Sequence, residues 1–92
     1  MEADQHWRMA VKGLLRTEMA RRHLSYADLS EALSAWGIDE SERNLRNKVA
    51  RGTFSAAFML QCLAAMECKA LRLEECVEDL RVKVSSRHAS RR

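Results

Sequence analysis

An all-α fold, a compact bundle of four to five helices, is what three features of the sequence predict. There is no proline, and glycine occurs only at Gly13, Gly37 and Gly52. Ala, Arg, Leu and Glu dominate, while Val, Ile, Thr and the aromatics are few, a mixture that favours helix over sheet. Apolar residues recur at spacings of three and four in successive segments, as amphipathic helices require. With 92 residues, 47% of them apolar, the chain has material for one small domain with a modest core. Residues 1–84 are expected to form it, followed by a basic tail, 85–92, that looks disordered.

The first helix is expected over residues 5–22. Trp7, Val11, Leu14, Leu15 and Met19 form one apolar stripe, with Arg8, Lys12, Arg16 and Arg22 mainly off it. Gly13 inside this helix costs about 1 kcal/mol against alanine and suggests the close approach of a neighbouring helix. The second helix opens in "LSYADLSEAL", where Ser25 is a suitable N-cap and Asp28 stands at the spacing of a capping box. Leu29, Leu33 and Trp36 are its expected buried face, and Gly37 its end. Ile38 anchors the turn that follows.

The third helix lies within "SERNLRNKVARG", residues 41–52, with either Asp39 or Ser41 as its cap and Gly52 as its stop. Leu45 and Val49 form a narrow inward seam. The fourth, "TFSAAFMLQCLAAM", opens at Ser55 and is expected to be the central core helix. Phe58, Met59, Cys62, Leu63 and Met66 cover a wide arc of it, and Phe54 packs just before it. From about Leu73 the chain reads either as a fifth helix or as a partly extended segment.

On a helical wheel, Arg43, Arg46, Asn47 and Ala50 share one outward face of the third helix. Asn44, Lys48 and Arg51 share the adjoining arc. Arginine pairs with the two major-groove acceptors of guanine and asparagine with adenine. The charges after Glu42 are all positive, with no carboxylate following at i+4 to neutralise them. A well-capped helix precedes this one across a short turn, which is the helix-turn-helix arrangement. Net charge is +3, and the central segment and the tail are the basic regions.

From about Leu15 to Met66 the chain resembles the lambda-repressor-like helix-turn-helix domains of the Cro/repressor type. The register of "SYADLSEAL", the closing "ARG", and the offsets of Met59, Leu60, Cys62, Ala65 and Met66 carry that resemblance. More narrowly, "ERNLRNKVARGTFSAAFMLQCL" looks like the signature of a small bacterial family known only as a domain of unknown function. The turn after Gly37 is about three residues longer than the repressor pattern, Leu63 stands where alanine is usual, and His23 fills a turn position often held by glycine or asparagine. The repressor resemblance implies a sequence-specific double-stranded DNA-binding protein, a small transcriptional regulator. It places Arg43, Arg46 and Asn47 on base edges and Asn44, Lys48, Arg51 and Thr53 on phosphates. Ser25 and Tyr26 would also meet phosphates, although Ser25 could serve only as a cap. Folds of this shape also bind proteins, so an adaptor or anti-regulator gripping an acidic protein surface is the alternative.

Leu71, Leu73, Val77 and Leu80 exceed what the core needs and suggest a homodimer interface. No glycine-rich phosphate loop, His-Glu zinc motif or nucleophile elbow is present, so no enzyme activity is expected. His6, His23 and His88 lack ligand spacing to Cys62, Cys68 and Cys76, so neither metal nor cofactor is expected. The odd, unpaired cysteines fit reduced thiols in the cytoplasm. The first helix is basic and amphipathic, but its apolar stripe is better used on the core than on a membrane.

Overall fold

The computed structural model describes residues 2–74. Val77, Leu80, Cys76, His88 and the tail expected at 85–92 lie outside the described residues, as does most of the segment read as a fifth helix. Among the described residues there are four α-helices and no strand: α1 (Glu2–Arg21), α2 (Tyr26–Ala35), α3 (Glu42–Arg51) and α4 (Ala56–Ala65). Both α1 and α2 pack against α3 and α4.

The short helices start in one way. Ser25, Ser41 and Ser55 are the N-caps of α2, α3 and α4, and each hydroxyl accepts from the backbone N–H three residues on. Ser41, not Asp39, caps α3. The ends also share a device. His23, Gly37, Gly52 and Glu67 take left-handed φ angles of 55°, 78°, 67° and 59°. After α1, α2 and α4 the next amide then reaches back to a carbonyl inside the helix: Leu24 to Met19, Ile38 to Leu33, and Cys68 to Leu63, at 2.9–3.0 Å. Those are Schellman closures, and the residue making each one lies partly buried against the core.

The core consists of Leu14, Leu15 and Met19 from α1, Leu29 and Leu33 from α2, Leu45 and Val49 from α3, and Phe58, Cys62, Leu63 and Met66 at α4 and its cap. Phe54 meets Phe58 at 5.3 Å between ring centroids. Two expected core residues are not there. Trp7 is 55% exposed and Trp36 63% exposed. A helix of twenty residues runs about 30 Å and one of ten about 15 Å, so among the described residues the shorter α3 and α4 cover only part of α1, and Trp7 falls largely on the uncovered part. Trp36 follows Leu33 by three, as a buried residue should, but α2 ends at Ala35 and Trp36 becomes its C-cap.

Glu18 is a buried acid that sequence periodicity did not single out. Arg22 Nη1 donates to its carboxylate at 2.7 Å and to its backbone carbonyl at 3.0 Å, and Arg21 donates to the second carboxylate oxygen at 3.2 Å. The Glu18 hydrogen bond raises the Arg22 pKa above its ordinary value. The Cys68 thiol, 3.8 Å from the same carboxylate, ties the segment after α4 to the end of α1.

Close helix approach falls at Gly52 rather than at Gly13. A Cβ on Gly52 would sit 2.6 Å from the backbone oxygen of Arg8, whereas one on Gly13 would meet nothing within 4 Å. Gly13→Ala is therefore expected to stabilise the fold by roughly 0.5–1 kcal/mol. Gly52→Ala is expected to destabilise it by about 2 kcal/mol or more, through both its left-handed backbone and the clash. Urea denaturation of the two variants measures both, and equal effects would contradict this assignment of the crossing point.

Candidate nucleic-acid interface

Ten residues of α3 are held by two apolar side chains. Leu45 and Val49 are fully buried, and the remaining positions face outward. Arg43, Asn44, Arg46, Asn47, Ala50 and Arg51 are all exposed, and Lys48 is half-buried. Lys48 and Arg51 fall in the last turn, where cations suit the negative end of the helix dipole.

The cations are less bare than the sequence suggested. No acid follows them, but two precede them. Glu42 Oε2 accepts from Arg46 at 2.7 Å, one turn away on α3. Glu40, in the connection before α3, accepts from Lys48 at 2.5 Å. The Lys48 ammonium also lies 4.8 Å from the Phe58 ring centroid, so this side chain is drawn inward, away from the outward face. Ser30 Oγ donates to the Glu40 carbonyl at 2.6 Å, which fixes the connection. The second carboxylate oxygen of Glu40 is buried with no hydrogen-bond partner among the described residues. The Arg46 guanidinium stands 5.3 Å from the centroid of the Tyr26 ring, so the start of α2 and the middle of α3 share one surface. Among the described residues, Arg43, Asn47 and Arg51 have no side-chain hydrogen bond or ion pair.

Ser25 works as a cap. Its hydroxyl accepts from the Asp28 N–H at 3.1 Å, and the Asp28 carboxylate accepts from the Ser25 N–H at 2.9 Å. Tyr26 is half-buried, its hydroxyl 3.5 Å from Arg16 Nε. Thr53 is exposed just beyond Gly52. Leu71 and Leu73 are exposed, at 40% and 66%, and lie well along the chain from α3.

Two basic residues that the sequence places mainly off the apolar stripe of α1, Arg8 and Lys12, border the site. A groove of about 560 Å³ is lined by Asp4, Gln5, Arg8, Met9 and Lys12 of α1 and by Ala50 and Arg51 of α3. The i, i+4 spacing of Arg8 and Lys12 was legible as one side of a helix. What it faces was not, because the partner residues are some forty positions away.

Cys62 is fully buried, and that burial, reinforced by the Glu40 charge, pushes its thiol up to about 11. It is held protonated at neutral pH. Among the described residues no group of three or more His, Cys, Asp or Glu could hold a metal ion, and no helix is long and apolar enough to cross a membrane.

Residues 7–71 match the family described as domain of unknown function (DUF6471), and the chain belongs to that family. No curated protein and no solved structure matches the chain.

The Asp28 pKa is lowered from 3.8, first by the Ser25 N–H and then by its hydroxyl. A depressed carboxyl stabilises the fold fully above its unfolded value and loses that contribution as pH falls through the folded one. Wild type should therefore exceed Asp28→Asn in urea midpoint at about pH 6, and the gap should narrow as pH falls below 3.8. A gap independent of pH would mean that the capping box does not depend on the charge.

Proposed function

We propose that this DUF6471 protein is a sequence-specific double-stranded DNA-binding protein, a small cytoplasmic transcriptional regulator. In this reading α2, residues 36–41 and α3 act as a helix-turn-helix, and α3 enters the major groove. The observation that carries it is the split on α3. Its apolar side chains are fully buried, while Arg43 and Asn47 are exposed and unpartnered among the described residues. Guanidinium and carboxamide groups held on one helix face have the donor and acceptor pattern that base edges require.

Arg43, Arg46 and Asn47 read bases in this arrangement. In the free protein Arg46 is held between Glu42 and the Tyr26 ring, and on the duplex it exchanges Glu42 for a base edge. Asn44, Arg51 and Thr53 flank the reading face and suit phosphate oxygens. Lys48 is bound to Glu40 and serves to hold α3 down, and Ser25 serves as a cap; both thereby leave the set of phosphate contacts. Self-association through Leu71, Leu73, Val77 and Leu80 would present two copies of α3 to half-sites one helical turn apart, roughly 34–36 Å.

Titrating salt against binding to selected and random duplexes tests the reading. Log affinity should fall steeply against log salt. Arg46→Ala should cost about 1–3 kcal/mol on the selected duplex and much less on the random one. Weak, sequence-blind binding to duplex, together with tight binding to an acidic protein surface, would replace this reading with that of a protein-interaction module. Light scattering tests the dimer: Leu73→Glu with Leu80→Glu should convert it to a monomer, and a wild-type monomer at micromolar concentration would remove it.

A further inference from the structure

We propose that the groove between the first half of α1 and the end of α3 seats a DNA phosphodiester flanking the bases that α3 reads, with Arg8, Lys12 and Arg51 as its ligands. This inference rests on the DNA-binding reading and extends it to a helix outside the helix-turn-helix.

The groove is continuous with the reading face. Arg43, Asn47 and Ala50 follow one another along the outward side of α3, and Ala50 is also part of the groove lining. From Asn47 to Arg51 is four residues, about 6 Å along the axis. A backbone passing over α3 therefore runs next onto the surface of α1. Ala50 is small and leaves that path open.

The chemistry of the walls suits a phosphodiester. Arg8 and Lys12 stand one turn apart on the same side of α1. Neither Lys12 nor Arg51 has a side-chain partner among the described residues. Asp4 is the one carboxylate in the lining; it pairs with Arg8 at 2.8 Å, but both side chains are more than half exposed. An exposed pair of that kind is weak and readily exchanged for a phosphate. Three cations against one acid leave the groove net positive, Gln5 adds a neutral donor, and Met9 with Ala50 adds apolar lining against which a sugar can rest.

The two walls are fixed relative to each other. The backbone of α1 at Arg8 meets Gly52 so closely that a Cβ would clash. The spacing of Arg8 and Lys12 from Arg51 is thus set by the crossing itself, before any ligand arrives.

The test compares the full-length protein with its Arg8→Gln, Lys12→Gln double variant on selected and random duplexes. The expected result is a slope of log affinity against log salt shallower by about 2. Affinity should fall by up to about tenfold per charge near 0.1 M salt, equally on both duplexes. Arg8→Lys with Lys12→Arg should keep the wild-type slope, and thermal melting checks that all variants fold. Asp4→Asn should tighten binding to both duplexes. If the double neutralisation leaves slope and affinity unchanged while Arg46→Ala still weakens the selected duplex, the groove assignment falls and the DNA-binding reading stands. If wild type binds no duplex at all, both fall.

Discussion

The placement of α3 depends on two side chains. Leu45 and Val49 are its only large apolar residues, and both are completely buried. Burying two such side chains supplies roughly 1.5–3 kcal/mol each, and a helix of ten residues is marginal on its own in water. The helix therefore exists because the bundle receives those two residues. A cap at Ser41, a left-handed stop at Gly52 and the Lys48–Glu40 pair then fix its rotation and length. Because the seam is so narrow, nearly the whole remaining surface of α3 is left outward, which makes it available as a binding face.

The rest of the bundle is built by a repeated chain rule. A serine starts each short helix, a residue at positive φ ends it, and after α1, α2 and α4 an apolar residue then folds back on the core. The serines and glycines of this rule were legible because their chemistry is distinctive. His23 was legible only through the turn position that it fills in the repressor pattern, and Glu67 was not, since a non-glycine residue in the left-handed region costs about 1–2 kcal/mol and composition alone does not announce it. Burial of Leu24 and Cys68 directly after them offsets that cost. The sequence departure noted at His23 is thus the same left-handed turn, made by a residue that pays more for it.

Legibility ended where contacts became long-range. The wheel correctly separated Leu45 and Val49 from Arg43, Arg46 and Asn47, because helical spacing is a local property. It could not show that Glu40 captures Lys48 eight residues on, or that Lys48 settles over Phe58. Trp7 and Trp36 obeyed the apolar period and yet stayed exposed, because each lies near a helix end, where the period no longer guarantees a neighbour. Gly13 and Gly52 look alike in sequence, but only Gly52 has a neighbour's backbone against it. Glu18 was hidden because a buried acid on a polar-looking stretch becomes evident only when Arg22 and Cys68 converge on it.

The acids beside α3 bear on what the proposed DNA reader would discriminate. Arg46 must exchange Glu42 for a guanine edge, and an exposed i, i+4 pair is worth only tenths of a kcal/mol, so a matching base easily outcompetes it. A mismatched base offers no such exchange, and Arg46 stays with Glu42 at little cost. Lys48, already neutralised by Glu40, adds almost nothing to attraction for an arbitrary duplex. The carboxylates thereby lower the sequence-blind component of binding more than the sequence-dependent one. On this reading the modest net charge of +3 is compatible with specific recognition: discrimination is assigned to a few ordered side chains on α3, and general attraction to cations at its margins.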